Sequence, residues 1–266
     1  MEVFEGTKLW IQGLAERSND LDKRSRDRLR SAFFDIRNRA GHLTAEIPRA
    51  LPSLTVHDLS HIDALWEMGD LVVGDELLDS DVSFITPSEA FVLGLAFLLH
   101  DLAHSRTAIP FSDDELRTTT EYRDIIAQLL SDQLGRPVSK NEIQSADTNT
   151  HDLALGLYLR ANHAVLAAQL PLSRWNDGDG SDHFLIQDEE IRRSFGEIAG
   201  KIAASHWITT AELPSIFSTT MGAPGWLPPQ WSCDPLKLAC IIRCADAIHL
   251  DTRRAPAFLR ALPSCR

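Results

Sequence analysis

Apolar residues recur at helical spacing along most of the chain. They predict helices over 7–18, 20–40, 55–73, 87–104, 121–134, 150–170, 188–206, 234–250 and 254–262. Polar or Pro- and Gly-rich stretches predict connections over 106–120, 135–149, 175–183 and 209–232. No set of alternating apolar and polar runs indicates a sheet. The pattern therefore predicts an all-α protein.

One of these helices has an unusually clear start and composition. Thr86-Pro87-Ser88-Glu89 supplies an N-cap threonine, a proline at the first helical position and a glutamate three residues after the cap. The segment that follows, FVLGLAFLLHDLAHS (91–105), is apolar nearly all round, which is typical of a buried helix. Its most apolar run, 91–99, is too short to span a bilayer. We therefore predict a central buried helix over 87–104.

The size and composition suit one large domain or one domain with an appendage, because 44% of the 266 residues are hydrophobic. Leu51-Pro52 marks a break, so we predict an N-terminal helical appendage over 1–50 and the main domain over 51–266. The basic cluster within 20–40 is typical of a solvated helix face. The first ten residues do not resemble a secretory signal, and four cysteines are best interpreted as reduced thiols. These features predict a cytoplasmic protein that does not enter the membrane.

The net charge of −12 is unevenly distributed. Residues 1–50 hold ten Lys and Arg against eight Asp and Glu, whereas residues 50–105 hold no Lys or Arg. Nine acidic residues fall between Asp58 and Glu89. An acidic field favours cations and argues against a broad nucleic-acid surface in this region.

The dyad His100-Asp101 closes the apolar run of the predicted central helix. Burying a histidine beside an aspartate is costly unless something binds both, and a divalent metal ion accepts both an imidazole nitrogen and a carboxylate oxygen. Other predicted helices offer further candidates, and a helical bundle can direct all of them to one centre. In chain order the candidates are His61, His100, Asp101, His163, His206 and Asp246.

This order of residues resembles the HD-domain superfamily of metal-dependent phosphohydrolases. The matching segments are VHDLSHIDALW around His61, FLLHDLAHS around the dyad, and RCADAIHLD around Asp246. The resemblance covers roughly residues 55–255 and implies an all-α HD-domain helical bundle around a metal centre. It implies that His61, His100, Asp101 and Asp246 hold a first metal ion. His163 and His206 match the extra histidines of binuclear members, in which Asp101 would bridge two ions.

The resemblance also implies the chemistry. Two divalent ions, drawn from Mn, Mg, Fe, Ni or Zn, would clamp a phosphoryl group and activate water against it. His104 fits the HDxxH variant of the motif and would act near the substrate phosphate as a proton donor. Arg160 and Arg243 each lie one turn before a ligand and would contact a phosphate, orient a ligand or form an internal salt bridge. His57, one turn before His61, is either a ligand or substrate contact or a surface residue.

Three functions remain open at this stage. The first is hydrolysis of phosphate esters in a nucleotide or short oligonucleotide substrate. The second is a di-iron oxygenase, since some HD-fold proteins use four His and two Asp ligands in that way. The third is a non-catalytic module that senses a nucleotide. The segment HLDTRRAPAFL (249–259) resembles HD modules linked to histidine-kinase-type ATPase domains, which suggests a partner or fused ATPase domain. The oligomeric state is not predicted.

Overall fold

The computed structural model of the chain describes residues 2–51, 58–176 and 182–250. The predicted helix 254–262, most of the ATPase-linked segment and His57 lie outside these residues. The α-helices in the described residues are α1 (Lys8–Gly13), α2 (Lys23–Thr44), α3 (Ile47–Ala50), α4 (Leu59–Val73), α5 (Asp75–Leu78), α6 (Pro87–Leu102), α7 (Asp113–Thr118), α8 (Thr120–Leu134), α9 (Lys140–Gln144), α10 (Thr148–Gln169), α11 (Glu189–Ala204), α12 (Leu213–Ile216) and α13 (Pro235–Ile248). Short 3₁₀ turns lie at Val3–Gly6, Arg106–Ala108, Leu170–Leu172 and Ser205–Trp207. The all-α fold class is confirmed.

Helix α6 is the centre of the bundle, and every one of its residues is buried. It begins as the sequence predicts: the Thr86 side chain accepts a hydrogen bond from the Glu89 backbone, and the Glu89 carboxylate accepts one from the Thr86 backbone. Helices α1, α2, α4, α10, α11 and α13 all pack against it. Because α6 is surrounded, the dyad at its C-terminal end is carried into the interior.

The N-terminal segment shares this core. Phe4 and Trp10 pack edge to face with ring centroids 4.9 Å apart, and Trp10 lies 5.4 Å from Trp66 on α4. Phe33 on α2 joins the same cluster. Helices α1 and α2 are therefore integral to the packing of the bundle, and the domain boundary at residue 50 stays a prediction.

The predicted solvated face of α2 does not include every basic residue, because two of its arginines are buried. Arg26 is 5% exposed and its Nε donates to the Asp20 carboxylate over 2.6 Å. Arg37 is 8% exposed and its Nε donates to Asp63 on α4 over 2.9 Å. Burial of these guanidinium groups is tolerated because each has a carboxylate partner.

Several predicted connections contain short elements. Helix α7 lies within 106–120, α9 within 135–149 and α12 within 209–232. The stretch 175–183 was predicted as a loop, but its ends form an antiparallel hairpin of β1 (Arg174–Asn176) and β2 (Asp182–Phe184). Elements of three to six residues leave too little periodicity to be read from sequence. Among the residues described, each helix is too short or too polar to cross a bilayer.

Helices α10 and α11 approach closely at Gly200. A Cβ added there would lie 2.4 Å from the backbone oxygen of Ala168 on α10. We expect Gly200→Ala to lower the free energy of unfolding by about 1–3 kcal/mol relative to Gly196→Ala, measured by urea denaturation. Both variants gain the same helix propensity, but the Cβ of residue 196 would come no closer than 3.1 Å to any neighbour, and that neighbour is the flexible end of Leu172. Equal stability of the two variants would show that the approach is not tight.

Candidate metal centre

Three buried side chains from two helices form a compact cluster. His61 lies in the first turn of α4, where Asp58 caps the helix, and His100 and Asp101 lie in the last turn of α6. The Nε2 atoms of His61 and His100 both lie 3.1 Å from Oδ2 of Asp101. All three ligand atoms fall within 4.8 Å of one another, so this cluster can hold a metal ion.

Asp246 on α13 completes the ring of predicted ligands on this side. Its Oδ1 lies 3.7 Å from His61 Nε2 and 3.8 Å from His100 Nε2. The Asp246 side chain is 20% exposed, whereas those of His61 and His100 are 0% and 1% exposed. The cluster therefore opens toward solvent past Asp246.

The two remaining predicted ligands form a pair beside this cluster. His163 comes from α10, and His206 comes from the 3₁₀ turn that follows α11. Their Nε2 atoms lie 2.8 Å apart. The His206 ring lies edge to face with that of His100, with centroids 5.9 Å apart. The structure thus brings all six predicted ligands to one centre from five elements.

The tautomers of the histidines are set by the backbone. The Nδ1 atom of each histidine faces the carbonyl three residues earlier: Phe97 for His100, Arg160 for His163 and Ala203 for His206, at 2.6–2.9 Å. A carbonyl only accepts, so each Nδ1 carries the proton and donates it. In the neutral form of each imidazole, Nε2 is then left with a lone pair directed at the centre, which is the form that binds a metal ion.

The tautomer of His61 is set by a side chain instead of a backbone carbonyl. Its Nδ1 lies 2.6 Å from Nδ1 of His249, and the two rings stack with centroids 4.8 Å apart and an angle of 6° between planes. If His61 is to present Nε2 to a metal ion, its Nδ1 must donate and that of His249 must accept. His249 is wholly buried at the end of α13. It positions His61 rather than binding metal through the same atom.

We expect His249→Ala to weaken metal binding about 10–100-fold, measured by competitive chelator titration. His249→Asn should restore much of the affinity, since its amide oxygen can accept from His61 Nδ1 near the position of the lost ring nitrogen. His151→Ala serves as the control, since His151 stacks on Tyr122 and is not among the predicted ligands. Equal metal affinity of His249→Ala and the control would remove this role of His249.

The electrostatics of the centre fit a cation. Burial opposes the charged form of His100, but the carboxylates of Asp101 and Asp246 outweigh it and raise the His100 pKa to about 10. Burial and the nearby His100 cation lower the His206 pKa to about 4. His100 Nε2 is buried and faces the carboxylates of Asp101 at 3.1 Å and Asp246 at 3.8 Å. A divalent ion would supply the positive charge that this position favours and would displace the His100 proton.

The other predicted site residues fall into distinct places. His104 is buried, with its ring stacked on His163 at 4.6 Å and its Nε2 3.9 Å from Oδ1 of Asp101. The Arg160 side chain is exposed on α10, so its contact with substrate stays a prediction. His57 lies outside the described residues.

Arg243 stabilises the 3₁₀ turn that carries His206 through hydrogen bonds to the backbone. Its Nη1 donates to the carbonyl of Ser205 and, over 2.6 Å, to that of Ile208. The sequence suggested a phosphate, a ligand carboxylate or a salt bridge as its partner, whereas the structure shows backbone carbonyls. Its position on α13, one turn before Asp246, was the signal that it lies near the centre.

The helical bundle and the buried cluster of His61, His100 and Asp101 define a protein with an HD-type domain and a site that can bind a metal ion. The family model HD-CE matches residues 51–263, which is most of the chain. The chain therefore belongs to the HD-CE family, and its resemblance to the HD superfamily is confirmed. Comparison with curated proteins and with solved structures gave no match.

Proposed function

We propose that this chain is a metal-dependent phosphohydrolase that cleaves phosphate esters of nucleotides or short nucleic acids. The observation that carries the proposal is the convergence of buried imidazole and carboxylate groups at one opening of an HD-type bundle. A first divalent ion would be held by His61, His100, Asp101 and Asp246. A second would be held by Asp101, His163 and His206. Imidazole and carboxylate ligands suit Mn, Mg, Fe, Ni and Zn alike.

A bound divalent ion supplies charge that polarises a phosphoryl group and promotes attack by water. The protein itself would orient the phosphate ester and exclude bulk water from the inner side of the site. Burial of His61 and His100 strengthens every electrostatic interaction at the inner side of the site. Asp246 and His206 are partly exposed, so a phosphate ester would approach from their side.

His104 is the residue best placed to hold a proton for the leaving oxygen. It lies one turn after the dyad, between Oδ1 of Asp101 and the face of His163. A proton on its imidazole would be stabilised by the carboxylate and could pass to a leaving alkoxide. His104 is not one of the predicted ligands. Its ring stacks on His163, at the side of the pair formed by His163 and His206.

We expect His104→Ala to lower turnover about 10²–10⁴-fold while the metal content stays at the wild-type level. His151→Ala is a suitable control, since His151 stacks on Tyr122 on the α8–α10 side of the bundle. Turnover is measured as phosphate or nucleoside release after metal reconstitution. Loss of metal from His104→Ala would instead make His104 a ligand.

The reaction itself is tested by screening phosphate esters with the reconstituted protein. Phosphate release that requires the metal supports the proposal. Iron in the site together with consumption of oxygen and no phosphate release would favour the oxygenase. Binding of nucleotides without turnover under any metal would favour a sensing module.

The free thiols of Cys233, Cys240 and Cys244 support the proposal of a cytoplasmic location.

A further inference from the structure

A cavity is formed by elements that carry none of the predicted metal ligands. It has a volume of about 460 Å³, within the range of small-molecule sites. Its walls are the C-terminal part of α2, the 3₁₀ turn Arg106–Ala108 and the β1–β2 hairpin. The residues that matter for its chemistry are Arg39, His42, Thr107, Trp175, His183 and Phe184.

The cavity is linked to the centre by a short stretch of chain. Thr107 follows His104 by three residues, so their Cα atoms are at most ~11 Å apart even in a fully extended chain. The wall is fixed to this stretch, because the Trp175 indole N–H donates to the Thr107 carbonyl over 3.1 Å. The Thr107 hydroxyl and backbone N–H both donate to Glu46. Thr107 thus brings one wall of the cavity within reach of His104.

The walls are flat and aromatic. Trp175 pairs with His183 across the hairpin, which places the two rings on the same face of the ribbon. Phe184 also lines the cavity, and the Arg192 guanidinium lies 3.7 Å over its ring. Aromatic side chains of this kind stack on nucleobases of any sequence.

The charge on the lining of the cavity differs from that of the chain, although the Glu46 carboxylate accepts hydrogen bonds from Thr107 at the wall. No carboxylate is found among the described residues that line it, although the chain carries a net charge of −12. Arg39 is the cation of the wall, and its Nη1 donates to the Leu185 carbonyl over 3.3 Å. An electron-rich planar ligand that carries a phosphate matches both the rings and the charge.

We propose that this cavity binds the base of a nucleotide whose phosphate lies at the metal centre. The proposal rests on the proposed function for the position of the phosphate, but binding of the base itself needs no hydrolysis. It names the substrate class as one that carries a nucleobase and excludes simple sugar phosphates as good substrates.

The test is calorimetric titration of the metal-free protein with AMP, GMP, CMP and UMP, and with ribose 5-phosphate as the ligand that lacks a base. The nucleotides are expected to bind at least ~10-fold more tightly than ribose 5-phosphate. Trp175→Leu should raise their Kd about 10-fold or more. The matched control is Trp226→Leu, because Trp226 is also half-buried and stacks under Arg28 rather than in the cavity.

Arg39→Gln provides a second variant in case Trp175→Leu does not fold. It should weaken nucleotide binding and leave the helical circular dichroism unchanged. Nucleotides that bind no more tightly than ribose 5-phosphate, or that bind Trp175→Leu and Arg39→Gln as well as wild type, would overturn the proposal. Nucleotide binding that depends on Trp175 without any phosphate release would uphold the cavity and refute the phosphohydrolase. Equal hydrolysis of nucleotides and ribose 5-phosphate would uphold the phosphohydrolase and refute the binding of a base in the cavity.

Discussion

Replacing Asp101 by alanine is expected to abolish metal binding and phosphate release together. Its Oδ2 is the atom that both His61 Nε2 and His100 Nε2 approach to 3.1 Å, and its side chain is 6% exposed. No other carboxylate in the described centre lies as close to the two histidines, since Asp246 is 3.7 Å and 3.8 Å from them. Without Asp101 only the more distant Asp246 would supply negative charge to balance a divalent ion. Metal titration and phosphate release measure the effect.

The fold should survive this change. Asp101 lies at the last turn of α6, whose packing depends on the apolar residues before it. We therefore expect the helical circular dichroism of Asp101→Ala to match that of Asp113→Ala, a control at an exposed aspartate that pairs with Arg106. Full metal content in Asp101→Ala would contradict its assignment as the ligand shared by both ions.

Replacing His206 by alanine should remove one metal ion and keep the other. His206 Nε2 faces His163 Nε2 at 2.8 Å, whereas the cluster of His61, His100 and Asp101 is formed without either residue. The expected result is a fall from about two ions per chain to about one, with turnover reduced at least as strongly as by loss of a proton donor, ~10²-fold. Metal analysis and phosphate release give the two readings.

The control for His206→Ala is Lys201→Ala. Lys201 lies on α11, five residues earlier, where it is exposed and pairs with Glu197. This variant should keep both ions and wild-type turnover. Two ions per chain in His206→Ala would contradict the assignment of the second site to the histidine pair.

The sequence was most informative where a local signal coincided with burial. The capping residues Thr86 and Glu89 and the continuous apolar run fixed the start and the central place of α6, and hence the interior position of His100 and Asp101. The positions of His61, His163, His206 and Asp246 on separate helices then indicated a common centre. Only the packing of the bundle brings these residues to the distances observed.

Other features depend on contacts that no local pattern encodes. The His61–His249 pair joins residues 188 apart in the chain. The packing of Phe4 and Trp10 on Trp66 ties the N-terminal segment to the core, although the break at Leu51-Pro52 suggested an appendage. The β1–β2 hairpin has strands of three residues, and a window that short carries no clear period of two. The aromatic cavity that the hairpin forms was therefore invisible to sequence analysis.

Elemental analysis of protein purified without chelator decides whether the centre formed by His61, His100, Asp101, His163, His206 and Asp246 holds metal ions. We expect about two divalent ions per wild-type chain, and the same preparation of Asp101→Ala should carry none. The element found would also direct the choice of substrate screen. Wild-type protein that holds no metal ion, even after reconstitution with each candidate ion, would contradict the metal centre and with it the proposed phosphohydrolase.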